Sequence, residues 1–287
     1  MKILILGAKG NLGCQLQKVF KNNDVTPWDV EDIDITDKEL IDKKIKDLKP
    51  NVVVNAAAYN AVDLCEETDE EFELAKKING LAPGYLAEAC CDIGAVLVHY
   101  SSDYVFKGDA LSEYGEKDDP EPINNYGRSK LLGEKNIISF SGKKLKYYII
   151  RTSKLFGPRG ASEIAKPSFF DIMLELSKTK KEIDVVDDER SCFTYTPDLA
   201  LWTKKLLDSD SGYGIYHFIN EGACTWYQAA VELFAMTKTE IKINRVAAGH
   251  FSRSAQRPQN SALINTKFEK MRNYKEALKE YFNENKK

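Results

Sequence analysis

The sequence predicts an α/β fold: a doubly wound parallel sheet with helices on both faces and a smaller C-terminal α/β lobe. Three observations carry that expectation. Short apolar, β-rich runs alternate with helix-spaced segments through the first ~150 residues. The first run enters a glycine-rich turn and then a helix. Beyond a loop at Gly157, Pro158 and Gly160 the alternation loosens, which places a second lobe there.

Taken in order, residues 2–6 are a continuous apolar strand ending at Gly7. Leu12, Leu16, Val19 and Phe20 recur at helical spacing and predict a helix over 12–21. A second strand is expected over 24–28. Thr36 and Glu39 match a capping box, so Leu40, Ile41, Ile45 and Leu48 continue a helix that Pro50 ends. Val52, Val53 and Val54 form a third strand. A helix over 69–92 has weak points at Gly80 and Pro83, and 95–100 is a fourth strand. A helix over 125–139 leads to a fifth strand at 146–151. Then come helix 169–177, strand 183–186, helix 197–207, strand 214–219, helix 226–234 and a terminal helix over 267–282. Right-handed crossovers make the first half a parallel sheet. Residues 1–152 are thus expected to form a dinucleotide-binding domain. Residues 153–287 form mainly a substrate-binding lobe, with about 195–220 returning to the first domain.

The 41 Lys and Arg against 44 Asp and Glu give a net charge of −3, without the basic excess of a nucleic-acid binder. No stretch approaches the ~18 apolar residues of a membrane helix, and the N-terminal apolar run is too short for a signal segment. A cytoplasmic protein with no nucleic-acid or membrane partner is expected. Cys14, Cys65, Cys90, Cys91, Cys192 and Cys224 contain no C-x-x-C, and only His99, His217 and His250 could join them. They read as reduced and mostly structural, with no metal site. Only Cys14, after the glycine turn, and Cys192 have a claim to lie near a ligand.

Gly7, Gly10 and Gly13 form G-x-x-G-x-x-G between the first strand and the first helix. Glycines permit a tight turn and close backbone approach, and a helix N-terminus offers free N–H groups to a pyrophosphate. In this context the pattern predicts a Rossmann-type nucleotide site. Asp29, at the end of the second strand, is placed to bond a ribose 2′-hydroxyl and repel a 2′-phosphate. Lys9 is the one nearby cation that could help a phosphate. The balance leans to NADH and leaves NADPH open.

Tyr126 and Lys130 stand four apart at a helix start and so share a face. A phenol with a pKa near ~10 is a poor acid–base group at neutral pH, and an adjacent ammonium is expected to lower it. Ser102, at the carboxyl edge of the fourth strand, can bond a substrate carbonyl beside Tyr126. Arg253, Arg257 and Lys267 are cations that could meet a diphosphate; the acid- and proline-rich 118–122 reads as a surface loop. Trp226, Tyr227 and His217 are expected to pack in the interior.

Several segments together resemble a known family. They are the glycine turn, 55–59 (Asn-Ala-Ala-Ala-Tyr), 101–106 (Ser-Ser-Asp-Tyr-Val-Phe), 126–130 (Tyr-Gly-Arg-Ser-Lys), 151–153 (Arg-Thr-Ser), 194–200 and 257–263. In this order, over essentially the whole chain, they resemble the dTDP-4-dehydrorhamnose reductases, extended short-chain dehydrogenase/reductases. The resemblance implies an oxidoreductase of dTDP-rhamnose biosynthesis that reduces the 4-keto group of dTDP-4-dehydro-L-rhamnose. It implies Tyr126 as proton donor, Lys130 as the group that lowers its pKa and holds the nicotinamide ribose, and Ser102 in place of the family's usual Thr. Gly7, Gly10, Asn11, Leu12 and Gly13 would wrap the pyrophosphate. Asp34 and Ile35 would flank the adenine, and Ala56, Ala57 and Tyr59 would line the cofactor's path. Asp103 and Tyr104 would face the sugar, and Arg257 is the best placed cation for the substrate diphosphate.

Two departures fall on the substrate side. The family's Trp after Arg-Thr-Ser is Lys154 here, and 191–193 reads Ser-Cys-Phe in place of Gly-Ser/Thr-Pro. Lys154 is either a substrate-contacting cation or a solvated loop lysine. The resemblance also allows a related ketoreductase of another sugar, or a non-catalytic subunit like the methionine adenosyltransferase beta subunit. A homodimer, and Mg²⁺ at a dimer contact, rest on the resemblance alone.

Overall fold

The computed structural model describes residues 1–163 and 165–284; the last three residues assigned to the lobe lie outside them. Six parallel strands form the central sheet. They are β1 (Lys2–Leu6), β2 (Asp24–Trp28), β3 (Val52–Asn55), β4 (Val96–Ser102), β5 (Lys146–Thr152) and the strand Gly214–His217. Their spatial order is Gly214–His217, β5, β4, β3, β1, β2. Side chains alternate across each strand, so Ile3 and Ile5 enter one core layer while Leu4 and Leu6 enter the other. The first layer packs under α1 (Asn11–Val19) and the helix Thr196–Leu207. The second packs under α2 (Lys38–Leu48) and the helix Ala82–Ile93.

The chain leaves β1 toward β2, then crosses back to place β3 on the other side of β1. The crevice outside the carboxyl ends of β1 and β3 is therefore the topological switch point, where ligands bind in such sheets. Gly7 turns the chain there with φ of 72°, and a Cβ on it would stand 2.7 Å from the Ala57 backbone nitrogen. Only glycine fits both requirements.

The lobe is built around an aromatic core that includes Phe156, Phe170, Phe193, Tyr195, Tyr274 and Tyr281. The strand Glu182–Val186 pairs in parallel with Lys242–Val246, and the helix Trp226–Thr237 covers them. Trp226 and Tyr227 pack on this core and His217 is fully buried, as expected.

The expected elements shift in five places. The side chain capping α2 is Asp37, whose carboxylate accepts from Leu40 N at 3.0 Å; Thr36 instead bonds Asp34. Beyond the short α3 (Leu64–Glu67), the helix expected over 69–92 is three segments: α4 (Asp69–Ala75), a π-helical Lys76–Leu81 and α5 (Ala82–Ile93). The wider π turn lies just before Pro83, which has no N–H to give a regular ladder. The fourth strand runs on to Ser102, and the strand from Gly214 stops at His217. The terminal helix begins at Tyr274, because Asn265 folds 265–268 into a turn by accepting from Lys267 N and Phe268 N. The short helix Leu64–Glu67 and the strand Lys242–Val246 carry too little periodicity to be read from sequence. All six cysteines are free. Among the described residues no helix is long and apolar enough to cross a membrane, and no cluster of three His, Cys, Asp or Glu could hold a metal ion.

Candidate active site

Tyr126, Ser102 and Lys130 meet because α6 (Asn125–Ile138) starts against the end of β4. Asn124 caps α6 by accepting from Gly127 N at 2.7 Å. A Cβ at Gly127 would lie 2.1 Å from the Tyr104 carbonyl oxygen, so a glycine is needed for the helix to approach the turn after β4. The Ser102 hydroxyl donates to Asp103 at 3.0 Å and stands close enough to the Tyr126 phenol to act on its pKa. The phenol donates to the Asn60 side-chain oxygen at 3.4 Å. Asn60 directly follows the 55–59 motif, but its spacing gave no chemical signal.

Burial pushes the Tyr126 phenol above its usual range, and the nearby Ser102 hydroxyl only partly offsets this. The expected lowering by Lys130 is absent from this state. The Lys130 ammonium donates to the Tyr100 carbonyl at 2.6 Å, and burial holds the amine at about 8. Behind it, Glu134 and Arg151 form a fully buried bidentate pair, 3.0 and 2.7 Å, and Ser101 also donates to Glu134 at 2.5 Å. The Glu134 charge favours the Lys130 ammonium, against the burial. Glu134 did not stand out in the sequence and Arg151 did so only within the 151–153 motif, because pairing between α6 and β5 is a tertiary event.

The nucleotide side surrounds the glycine turn. No side chain caps α1 and its first turn holds no acid, so its leading N–H groups suit an anion. The Asp29 carboxylate accepts from Lys9 N at 2.7 Å and Val30 N at 2.9 Å, which ties the turn to the end of β2. Lys9 itself pairs with Glu31. Asp34 closes a short turn by accepting from Thr36 N at 2.8 Å, and Ile35 is buried in the core. Ala56 and Ala57 follow β3, where the Asn55 side chain accepts from Ala57 N at 3.2 Å. Tyr59 N donates to Asn79 at 2.9 Å, and the Tyr59 hydroxyl donates to Glu71. Leu12 is buried in the first core layer.

The sequence missed a strap over the turn. Gly160 N donates to the Asn11 side chain at 2.8 Å, Asn11 donates to the Lys166 carbonyl at 3.1 Å, and Ser162 N donates to the Lys9 carbonyl at 3.0 Å. Asn11 thus ties Gly160 and Lys166 to the glycine turn. Cys14 lies under it, 3.6 Å from the Ala8 carbonyl.

Next to Ser102, Asp103 is fully buried and accepts from Ser102, Ser153 at 2.8 Å and Ser261 at 2.6 Å. Burial raises its pKa against those bonds. Tyr104 meets Tyr126 edge to face, with centroids 5.8 Å apart. Arg257 is engaged with the Asp63 carboxylate, one contact being 2.6 Å, and the pairing holds Asp63 at about 2. Arg253 grips Glu189, and Lys267 donates to the Ile215 carbonyl at 2.8 Å. Lys154 is no solvated lysine: its ammonium is buried, 3.5 Å from the Trp226 ring centroid. Cys192 is buried beneath it with its thiol pushed up to about 12 by burial.

The family model described as "RmlD substrate binding domain" matches residues 1–287. The spore coat polysaccharide biosynthesis protein SpsK of Bacillus subtilis is 36% identical over 99% of this chain and 97% of its own length. A dTDP-4-dehydrorhamnose reductase structure from Clostridium acetobutylicum superposes with a TM-score of 0.91 at 40% identity, covering 100% of both chains. The Bacillus anthracis enzyme of the same name, in complex with NADP, superposes with a TM-score of 0.90 at 34% identity over 99% of each chain. With a glycine turn at the switch point and Ser102, Tyr126 and Lys130 gathered at the end of β4, the chain belongs to the dTDP-4-dehydrorhamnose reductase family of NAD(P)H-dependent, Rossmann-fold oxidoreductases.

Proposed function

We propose that this chain reduces the 4-keto group of dTDP-4-dehydro-L-rhamnose, giving dTDP-L-rhamnose, with Tyr126 as proton donor. The observation that carries the reading is the Ser102 hydroxyl beside the Tyr126 phenol at the sheet edge, with Lys130 one helical turn on. The nucleotide groove fits a dinucleotide, because Gly7, Gly10 and Gly13 keep side chains out of the turn and α1 presents uncapped N–H groups. Gly7, Gly10, Asn11, Leu12 and Gly13 would hold the pyrophosphate, Asp29, Asp34 and Ile35 the adenosine end, and Ala56, Ala57 and Tyr59 the path to the nicotinamide. When bound, the cofactor supplies a hydride to the carbonyl carbon.

The protein's own work is at the oxygen. Ser102 donates a hydrogen bond to the keto oxygen and Tyr126 gives it a proton. The raised phenol pKa suits that role, since the residue enters the reaction protonated. Lys130 then stabilises the phenolate and holds a ribose hydroxyl. Asp103, Tyr104, Lys154 and Arg257 line the sugar and diphosphate side, Arg257 after exchanging part of its contact with Asp63. The division into a cofactor half, 1–152, and a mainly substrate lobe, 153–287 with about 195–220 returning, belongs to the same reading. So do a cytoplasmic location and a homodimer. Mg²⁺ enters no step, since the described residues offer no ligand cluster. The test is oxidation of NADPH or NADH by the purified protein with dTDP-4-dehydro-L-rhamnose and a panel of other 4-keto nucleotide sugars. Turnover of none of them would rule the reading out and favour a non-catalytic subunit.

A further inference from the structure

Three buried side chains follow one another along α6. Tyr126, Lys130 and Glu134 are spaced by one helical turn each and so form a single stripe. The last two hold successive residues at the end of β4. Lys130 donates to the Tyr100 carbonyl at 2.6 Å, and Glu134 accepts from the Ser101 hydroxyl at 2.5 Å. The next residue is Ser102. Ser101 and Arg151 stand opposite each other on β4 and β5, so their side chains leave the same face of the sheet. Both end on the Glu134 carboxylate, Arg151 with Nε at 3.0 Å and one Nη at 2.7 Å.

A buried ion pair is a weak source of stability, because the cost of desolvating both charges offsets much of their attraction. This one is also unbalanced. Lys130 and Arg151 are two buried cations around one carboxylate, and the other Arg151 Nη has no hydrogen-bond partner. The Lys130 ammonium itself touches a neutral carbonyl rather than an acid. The other ionisable groups close by leave that balance as it is. Burial keeps His99 on β4 and His217 on the strand beside β5 below the ordinary imidazole range, so both are uncharged at neutral pH. Glu116, which faces His217, is engaged with the Thr266 hydroxyl at 2.6 Å. Glu134 is the charge that favours the Lys130 ammonium against its burial.

We propose that Glu134 is a positioning residue for the reduction: its carboxylate, one helical turn beyond Lys130, is the fixed countercharge of that ammonium, and through Ser101 it clamps the strand end that carries Ser102. This rests on the ketosugar reading above.

The test compares wild type with Glu134→Gln, Glu134→Asp, Ser101→Ala and the double variant Glu134→Leu/Arg151→Met, by turnover of the ketosugar against pH and by thermal melting. Glu134→Gln removes the charge and keeps the shape. Its alkaline limb should move to lower pH by about half a unit or more, a roughly threefold loss of charged amine above the limb. Glu134→Asp keeps the charge and should keep the wild-type limb. The double variant leaves no unpaired buried charge, so it should melt near wild type yet keep the displaced limb. Ser101→Ala should lower kcat severalfold with KM and the limb unchanged. A wild-type limb in Glu134→Gln, or in the double variant, would overturn the countercharge role and make the pair structural. Unchanged kcat in Ser101→Ala would overturn the clamp. Should Glu134→Gln not fold, the double variant decides alone. The folded-state amine is also read without turnover, from the pH at which the melting temperature begins to rise relative to the matching Lys130→Met variant; a lower amine pKa starts that rise earlier. A displaced onset in a protein that reduces no ketosugar would overturn the reductase reading alone.

Discussion

The Lys130 ammonium donates to the main-chain carbonyl of Tyr100, 2.6 Å away, while Tyr126, one helical turn earlier, donates to the Asn60 side chain at 3.4 Å. The two members of the proposed catalytic pair are therefore held by different segments, the lysine by β4 and the phenol by the stretch after β3. The lysine is pinned to the strand before it meets cofactor, and the phenol stays fully protonated.

This arrangement predicts an alkaline limit to turnover. Burial holds the Lys130 amine at about 8, so its charge is lost above that pH and phenolate stabilisation goes with it. The rate of ketosugar reduction should fall with an apparent pKa near 8. A profile flat to about pH 10 would contradict the assignment.

The same amine makes stability depend on pH. Between about 8 and the ordinary 10.5 the unfolded chain holds the proton and the folded chain does not, so stability rises with pH across that window. Below about 8 both states are charged and the full cost of burying the ammonium is present. Lys130→Met should show a smaller gain in melting temperature than wild type between about pH 7.5 and about pH 9.5. An identical gain would mean that Lys130 does not titrate there.

Tyr126→Phe should lower kcat by about 10²–10⁴-fold and leave cofactor affinity within about twofold, as expected when only a general acid is removed. Stopped-flow reduction with fluorescence titration of the reduced cofactor measures both. Full activity in the variant would move the proton donor elsewhere.

Gly127→Ala introduces a Cβ that would stand 2.1 Å from the Tyr104 carbonyl oxygen. The start of α6 must then back away from the turn after β4 and carry Tyr126 off Ser102. A large loss of kcat with near-normal binding of the reduced cofactor is expected, and equal losses in both would point to a wider rearrangement.

Glu134→Gln leaves the buried Arg151 guanidinium without its countercharge. Breaking such a pair costs about 3–5 kcal/mol, so the denaturant midpoint should drop clearly. A change under about 0.5 kcal/mol, the size of an ordinary surface substitution, would show that the pair contributes little.

Much of this protein was settled by local sequence. The alternation of Ile3 and Ile5 with Leu4 and Leu6 shows a strand buried on both faces, and glycines 7, 10 and 13 state where a phosphate can approach. Tyr126 and Lys130 share a face because four residues is one helical turn. These are short-range facts, fixed by backbone geometry and hydrophobic period. Only the tertiary structure decided what faces what. It set Ser102 beside Tyr126 across the β4–α6 junction, spent Arg257 on Asp63 and tied Gly160 and Lys166 to the glycine turn through Asn11. It also turned Lys154 inward onto Trp226, 72 positions away in sequence (226 − 154). The physical reason is desolvation: whether a charged side chain is solvated, paired or stranded depends on neighbours from distant parts of the chain, and no periodicity in the sequence records them.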